Sequence, residues 1–240
     1  MTTSSTATGR RQGARIDHLV VMAATLAEGV AWCEATLGVT PGPGGEHPLM
    51  GTHNRLLRIA TVNFPSAYLE IIAVNPVAPR PQPERARRWF DMDDAALVKR
   101  IAGGGPQLIH FVVSVPDVAA AVTALAARGI DRGTAIDASR MSERGMLRWQ
   151  ITVRDDGQRL FDGALPTLIE WGDLHPAGAM PDSGVTLQSL VLSHPQAQAL
   201  RGAREAIGLN GVSIKAGVAG IVATLDTPRG RIRLACTPLS

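Results

Sequence analysis

The chain has 240 residues, 45% hydrophobic and 19% charged, enough for one large domain or two small ones with an adequate core and unlike a disordered or membrane-embedded polypeptide. Its net charge of +3 comes from scattered arginines and only two lysines, Lys99 and Lys215; one small cluster, Arg85, Arg87 and Arg88, with 4% aromatics, argues against a nucleic-acid surface. Cys33 and Cys236 fit neither a zinc ribbon nor a disulfide framework, residues 1–15 lack an apolar h-region, and no run of eighteen apolar residues follows. A cytoplasmic protein with no membrane partner is expected.

Residues 1–14, rich in Ser, Thr and Gly, read as a disordered tail. From residue 15 to 75 the pattern is that of a β-α-β-β-β unit. Ile16 to Val21 is a short apolar run, and Leu26, Val30, Cys33 and Leu37 form a helical stripe between a Thr25 cap and a Gly38 stop. Leu56 to Val62 and Tyr68 to Val74 are strand-like. Residues 76–105 read as a proline-rich linker or lid with a short helix around Asp94 to Ile101, stopped by Gly103, Gly104 and Gly105.

The layout then repeats over residues 106–175. Leu108 to Val113 matches the first run, a helix with Val118, Val122 and Leu125 ends at Gly129, and Leu147 to Val153 and Thr167 to Trp171 are strand-like. Placing His18 on His110 brings the two helix-stop glycines within one residue of alignment. A degenerate third unit, βαββ, is expected over 184–238: a strand at Leu187 to Leu192, a helix at Pro195 to Ile207, and a hairpin about Thr227-Pro228-Arg229.

Strand alternation puts Ile16, His18 and Val20 on the face away from the helix, and Tyr68, Glu70 and Ile72 on one face of a later strand. A carboxylate inside an apolar strand is costly unless paired, hydrated or bound to a metal. His110 and Glu170 repeat the anomaly in the second unit. Either histidine alone would read as a hydrogen-bonded core residue. Two matched His/Glu pairs instead suggest a site for a borderline divalent ion or a polar ligand. His53, Asn54 and Arg148 are candidate substrate contacts, with residues 48–54 read as a turn at the pocket mouth; Trp149 and Trp171 read as core or pocket wall. Glu46, His47 and His175 read as surface polar groups.

The strand motifs Asp17-His18-Leu19-Val20-Val21 and Ile109-His110-Phe111-Val112-Val113, with Leu69-Glu70-Ile71 and Ile169-Glu170-Trp171, resemble the vicinal-oxygen-chelate superfamily. Gly51-Thr52-His53-Asn54 and Ile169-Glu170-Trp171-Gly172-Asp173 are similar to bacterial glyoxalase-like domain proteins. The resemblance spans about residues 15–236 and implies an α+β fold of tandem βαβββ modules forming a cupped sheet. It also implies one divalent ion (Zn, Ni, Co, Mn or Fe) held by His18, Glu70, His110 and Glu170. A lyase or isomerase would follow, with the ion stabilising an enediolate of a small oxygenated substrate and Glu170, or else Glu70, moving the proton. Two alternatives stand beside it. One is an Fe(II) dioxygenase of extradiol type built on His18, His110 and Glu170; the other is a non-catalytic binding protein of the drug-sequestering kind. Such folds often form homodimers.

Overall fold

The computed structural model describes residues 13–78 and 87–236; residues 1–12 of the expected N-terminal tail, most of the proline run and Arg85 lie outside them, whereas Ala14, expected in that tail, is buried in the core. The first unit is β1 (Arg15–Met22), α1 (Leu26–Leu37), β2 (Glu46–His47), β3 (Thr52–Arg58) and β4 (Tyr68–Val74). Helix α2 (Ala95–Gly104) follows. The second unit is β5 (Gln107–Ser114), α3 (Val118–Ala126), β6 (Thr134–Ser142), β7 (Gly145–Val153) and β8 (Thr167–Trp171).

The two units form one curled eight-stranded sheet in the order β2-β3-β4-β1-β5-β8-β7-β6. Each first strand runs parallel to the last strand of its own unit, and β1 joins β5 antiparallel at the centre, so the second unit mirrors the first. The helix caps act as expected. Thr25 accepts the Glu28 N–H and Asp117 accepts the Ala120 N–H, while Gly38 closes α1 with a left-handed φ of 79° that a side chain would resist.

Helix α1 packs on β4 closely enough that Gly29 has no room for a side chain: a Cβ there would overlap Ile71 Cγ2 and stand 3.1 Å from Ala23 Cβ. Gly29→Ala gains about 0.5–1 kcal/mol of helix propensity but forces α1 off the sheet, at about 1–3 kcal/mol. A net loss of stability is expected, read as a lower urea midpoint with an unchanged slope.

The strand expected at 56–62 lies four residues earlier. Residues 52–54 enter the ladder instead of forming a loop, His53 pairing with Ala73 and Asn54 with Ile72, and the turn closes before them at Gly51. Their polarity misled because Asn54 has buried partners of its own.

The third unit comprises β9 (Thr186–His194), α4 (Ala197–Ala206), β10 (Val212–Ala216), β11 (Gly220–Thr227) and β12 (Gly230–Cys236). It has one strand more than expected, because Val-Ser-Ile-Lys-Ala between Gly211 and Gly217 is too short to show its period. It is also wired differently. Its order is β10-β9-β11-β12, so its first strand does not pair with its last.

Two cores result. The larger lies on the helix side of the big sheet, where Leu19, Leu69, Phe111 and Leu168 meet Cys33, Leu125 and the inner face of the third unit, including Leu190, Ile221 and Leu234. The smaller lies in the concave face, where Val20, Ile72, Val112 and Ile169 are covered by Trp89, Phe90, Met92, Leu97 and Ile101. The segment read as linker or lid thus plugs part of the cup.

Candidate functional site

Simple alternation fails at the start of β1. Its pairing with β5 skips Asp17, passing from Ile16/Val113 to His18/Val112, so a bulge changes the phase of the strand. Ile16 joins the helix-side core, and Asp17 turns with His18 toward the concave face. Asp17 is fully buried, and its carboxylate takes Nδ1 of His18 at 2.7 Å, the Trp171 indole N–H at 2.8 Å and Nε2 of His175 at 2.9 Å. Burial alone would raise its pKa; hydrogen bonds from His175 and His18 reverse this and hold the carboxyl well below its usual range. Tyr68 stacks on His18 with centroids 4.6 Å apart, and burial followed by the Asp17 and Glu70 charges keeps its phenol protonated.

Glu70, 5% exposed, projects from β4 beside this group. Its Oε2 lies 3.5 Å from His18 Nε2, and its Oε1 accepts Asn54 Nδ2 at 2.6 Å. The Asn54 amide has one possible orientation, because its Oδ1 accepts the Gly45 N–H at 2.8 Å. Its NH2 therefore serves Glu70 and, at 3.3 Å, His47 Nε2, whose ring places Nδ1 3.0 Å from Thr52 Oγ1. Burial lowers the pKa of His47 to about 4, so it sits as a neutral imidazole. His47 and His175, expected at the surface, are both members of the site.

The second unit does not repeat the arrangement. In β8 it is Ile169 that reaches the concave core while Leu168 joins the helix-side core, so Glu170 points to the helix side, where its Oε2 accepts the Val118 N–H at the start of α3 at 2.8 Å. His110 is fully buried, with both ring nitrogens taken: Nδ1 donates to the Gly163 carbonyl at 3.0 Å, and Nε2 accepts the Thr167 N–H at 3.2 Å. Desolvation, then the Arg132 and Arg159 charges, push its pKa well below the ordinary value. It is a neutral core histidine. Of the expected substrate contacts, Asn54 belongs to the site, Arg148 lines a cavity nearby, and His53 lies on the other face of β3 with Nε2 buried and without a partner.

Two cavities flank the cluster, both bordered by the edge strand β6. One, about 620 Å³, is walled by His47, Met50, Trp89, Trp149, Ile151 and Trp171. The other, about 720 Å³, includes Leu57, Arg58, Arg140, Leu147 and His175 in its lining. Trp171 and His175, both bound to Asp17, place the cluster between them.

A family model described as "Glyoxalase-like domain" matches residues 16–207. The chain belongs to the glyoxalase-like domain family. Its curled mixed sheet with few helices is an α+β fold consistent with that family. Among solved structures, this glyoxalase-like protein is similar to a hypothetical protein from Staphylococcus aureus, with TM-score 0.58, 13% identity, and 94% of this chain and 86% of that one covered. It also matches methylmalonyl-CoA epimerase from Streptomyces coelicolor in complex with 2-nitronate-propionyl-CoA, with TM-score 0.42, 18% identity and coverage of 68% and 99%. The epimerase from Mycobacterium tuberculosis gives TM-score 0.36, 16% identity and coverage of 69% and 90%. No curated protein matches the sequence.

The four-ligand metal centre expected of this glyoxalase-like protein is not assembled. Glu170 lies on the opposite face of the sheet and His110 has no free nitrogen, which leaves His18 and Glu70, fewer than the three protein ligands of a catalytic zinc site. The same displacement dismantles the His18, His110, Glu170 triad of the oxygenase reading. Among the described residues no group of three or more His, Cys, Asp or Glu side chains is placed to hold a metal. Asp17 is the member of the candidate site that strand alternation missed. Its signal was a carboxylate directly before His18 in an apolar strand.

Proposed function

We propose that this protein is a proton-transfer enzyme of the isomerase or epimerase class, acting on a small oxygenated substrate with an acidic C–H beside a carbonyl. One observation carries the reading: His18 Nε2 and Glu70 Oε2 face each other at 3.5 Å while the other polar atoms of both side chains are occupied. Asp17 binds Nδ1 and so sets the ring's orientation, leaving Nε2 as its working atom. Asn54 does the same for Glu70. Glu70 removes the proton from carbon, His18 Nε2 returns one to the adjacent position or opposite face, and transfer from Glu70 Oε2 to His18 Nε2 restores the pair. Their burial strengthens this exchange, since charges interact more strongly away from water. No step is assigned to a metal, because the ligand set does not fit one.

The test is deuterium wash-in followed by NMR, in D2O, with phenylpyruvate, dihydroxyacetone and mandelate. General acid–base catalysis predicts exchange about 10²–10⁴-fold above buffer for at least one compound, unchanged after exhaustive chelation. Binding without exchange across the panel would replace this reading with a sequestering protein, and activity lost to chelator and restored by a divalent ion would return the metal to the mechanism.

A further inference from the structure

Arg140 lies on edge strand β6 and lines the larger cavity, and its guanidinium reaches across to the opposite edge of the sheet at Gly45. A Cβ at Gly45 would overlap Nη1 and stand 3.1 Å from Cζ, so the absent side chain makes room for this crossing. Nη1 is buried and has no hydrogen-bond partner. A second donor in the same condition lies nearby: Trp89, 7% exposed on the wall of the smaller cavity, has an unpartnered indole N–H. His47 connects the two. Its ring packs edge-on to Trp89 at 5.0 Å, and the Arg140 charge adds to the lowering of its pKa.

Buried donors without acceptors call for an explanation, and two of them around one imidazole point to a ligand rich in acceptors. Charge balance agrees. Asp17 and Glu70 would repel an anion entering the cup, and the Arg140 cation in the cavity wall offsets them. The other arginines of the larger cavity are less available: Arg58 donates to the Ala177 carbonyl at 2.9 Å and Arg144 to the Gly178 carbonyl at 2.7 Å.

We infer that Arg140 is the anion anchor of the site, pairing with an oxyanion of the ligand, carboxylate or phosphate, while the aromatic cavity takes an adjoining apolar group. The inference deepens the proton-transfer reading by stating the substrate's class, an aryl or alkyl acid. It is tested by binding instead of turnover, so the two can fail separately.

Tryptophan fluorescence reports occupancy, since Trp89, Trp149 and Trp171 line the neighbouring cavity. Phenylpyruvate, its methyl ester and phenyl phosphate are titrated into the wild-type protein and into Arg140→Met, Arg140→Lys and Gly45→Ala. The wild type is expected to bind at least one anion about tenfold or more tighter than the neutral ester, a preference that a charge-assisted pair supplies. Arg140→Met should erase the preference, Arg140→Lys restore part of it, and Gly45→Ala reduce it by displacing the guanidinium. Preference for phenylpyruvate identifies a carboxylate ligand and preference for phenyl phosphate a phosphate. Equal affinity for acid and ester, undiminished anion binding by Arg140→Met, or no binding of any of the three overturns the inference. Anion binding that depends on Arg140, without proton exchange, would sustain the anchor and sink the catalytic reading.

Discussion

Glu70→Gln is expected to abolish proton exchange while the protein stays folded, and Glu170→Gln to do the reverse. Glutamine keeps the Oε1 acceptor for Asn54, so the position remains satisfied, but the atom facing His18 Nε2 at 3.5 Å can no longer take a proton. Loss of a positioned general base costs about 10²–10⁴-fold in rate. Glu170 serves the first turn of α3, where its carboxylate accepts the Val118 N–H and meets the positive end of the helix dipole. Its amide variant should lose about 0.5–2 kcal/mol and leave exchange within a few-fold. Paired rate and urea-unfolding measurements decide the matter. If Glu170→Gln lost activity at full stability, the second unit, not the first, would carry the chemistry.

That reassignment marks how far the sequence could be read. The repeat was legible because a first strand, a capped helix and a glycine stop recur at matched spacing, and the observed sheet joins the two copies through β1 and β5. The repeat did not extend to the site. In a strand, one residue of register decides the face, and Ile169 takes the concave side in β8 that Glu70 takes in β4. Sequence similarity between Leu69-Glu70-Ile71 and Ile169-Glu170-Trp171 cannot carry that information, because the partner strands set it. The bulge at Asp17 is the same kind of fact. His47 and His175 differ from the surface expectation for another reason: Asp17, which binds His175, lies 158 residues away, and His47, though bonded to nearby Thr52 and Asn54, joins the site through Glu70, 23 residues on.

The site should also make the protein sensitive to acid well before its carboxylates titrate. His47 has a folded pKa of about 4 against an ordinary 6.5, and that of His110 also lies well below 6.5, both chiefly by burial. A histidine kept neutral by the fold binds its proton more readily when unfolded, so this stability is complete above pH 6.5 and is lost as the pH falls toward the folded value. For His47 the interval from 6.5 to about 4 is worth about 3 kcal/mol at about 1.4 kcal/mol per tenfold change in proton affinity. His110 adds to this in the same direction. Asp17 acts later: its folded pKa is depressed, so its contribution is present above the unfolded carboxylate range and fails only below it. Denaturant midpoints should therefore be flat from pH 8 to 7, fall between pH 6.5 and 4, and fall again below pH 4. His47→Gln removes one titrating imidazole and should flatten the first fall by about 3 kcal/mol, whatever its own effect at pH 8. Asp17→Asn should lower stability at neutral pH and flatten the second fall, because the three groups bound to Asp17 would lose a charged partner whose protonation drives that step. A first fall that persists undiminished in His47→Gln would mean that this imidazole is not held neutral by the fold, and that the polar cluster around Glu70 is open to water.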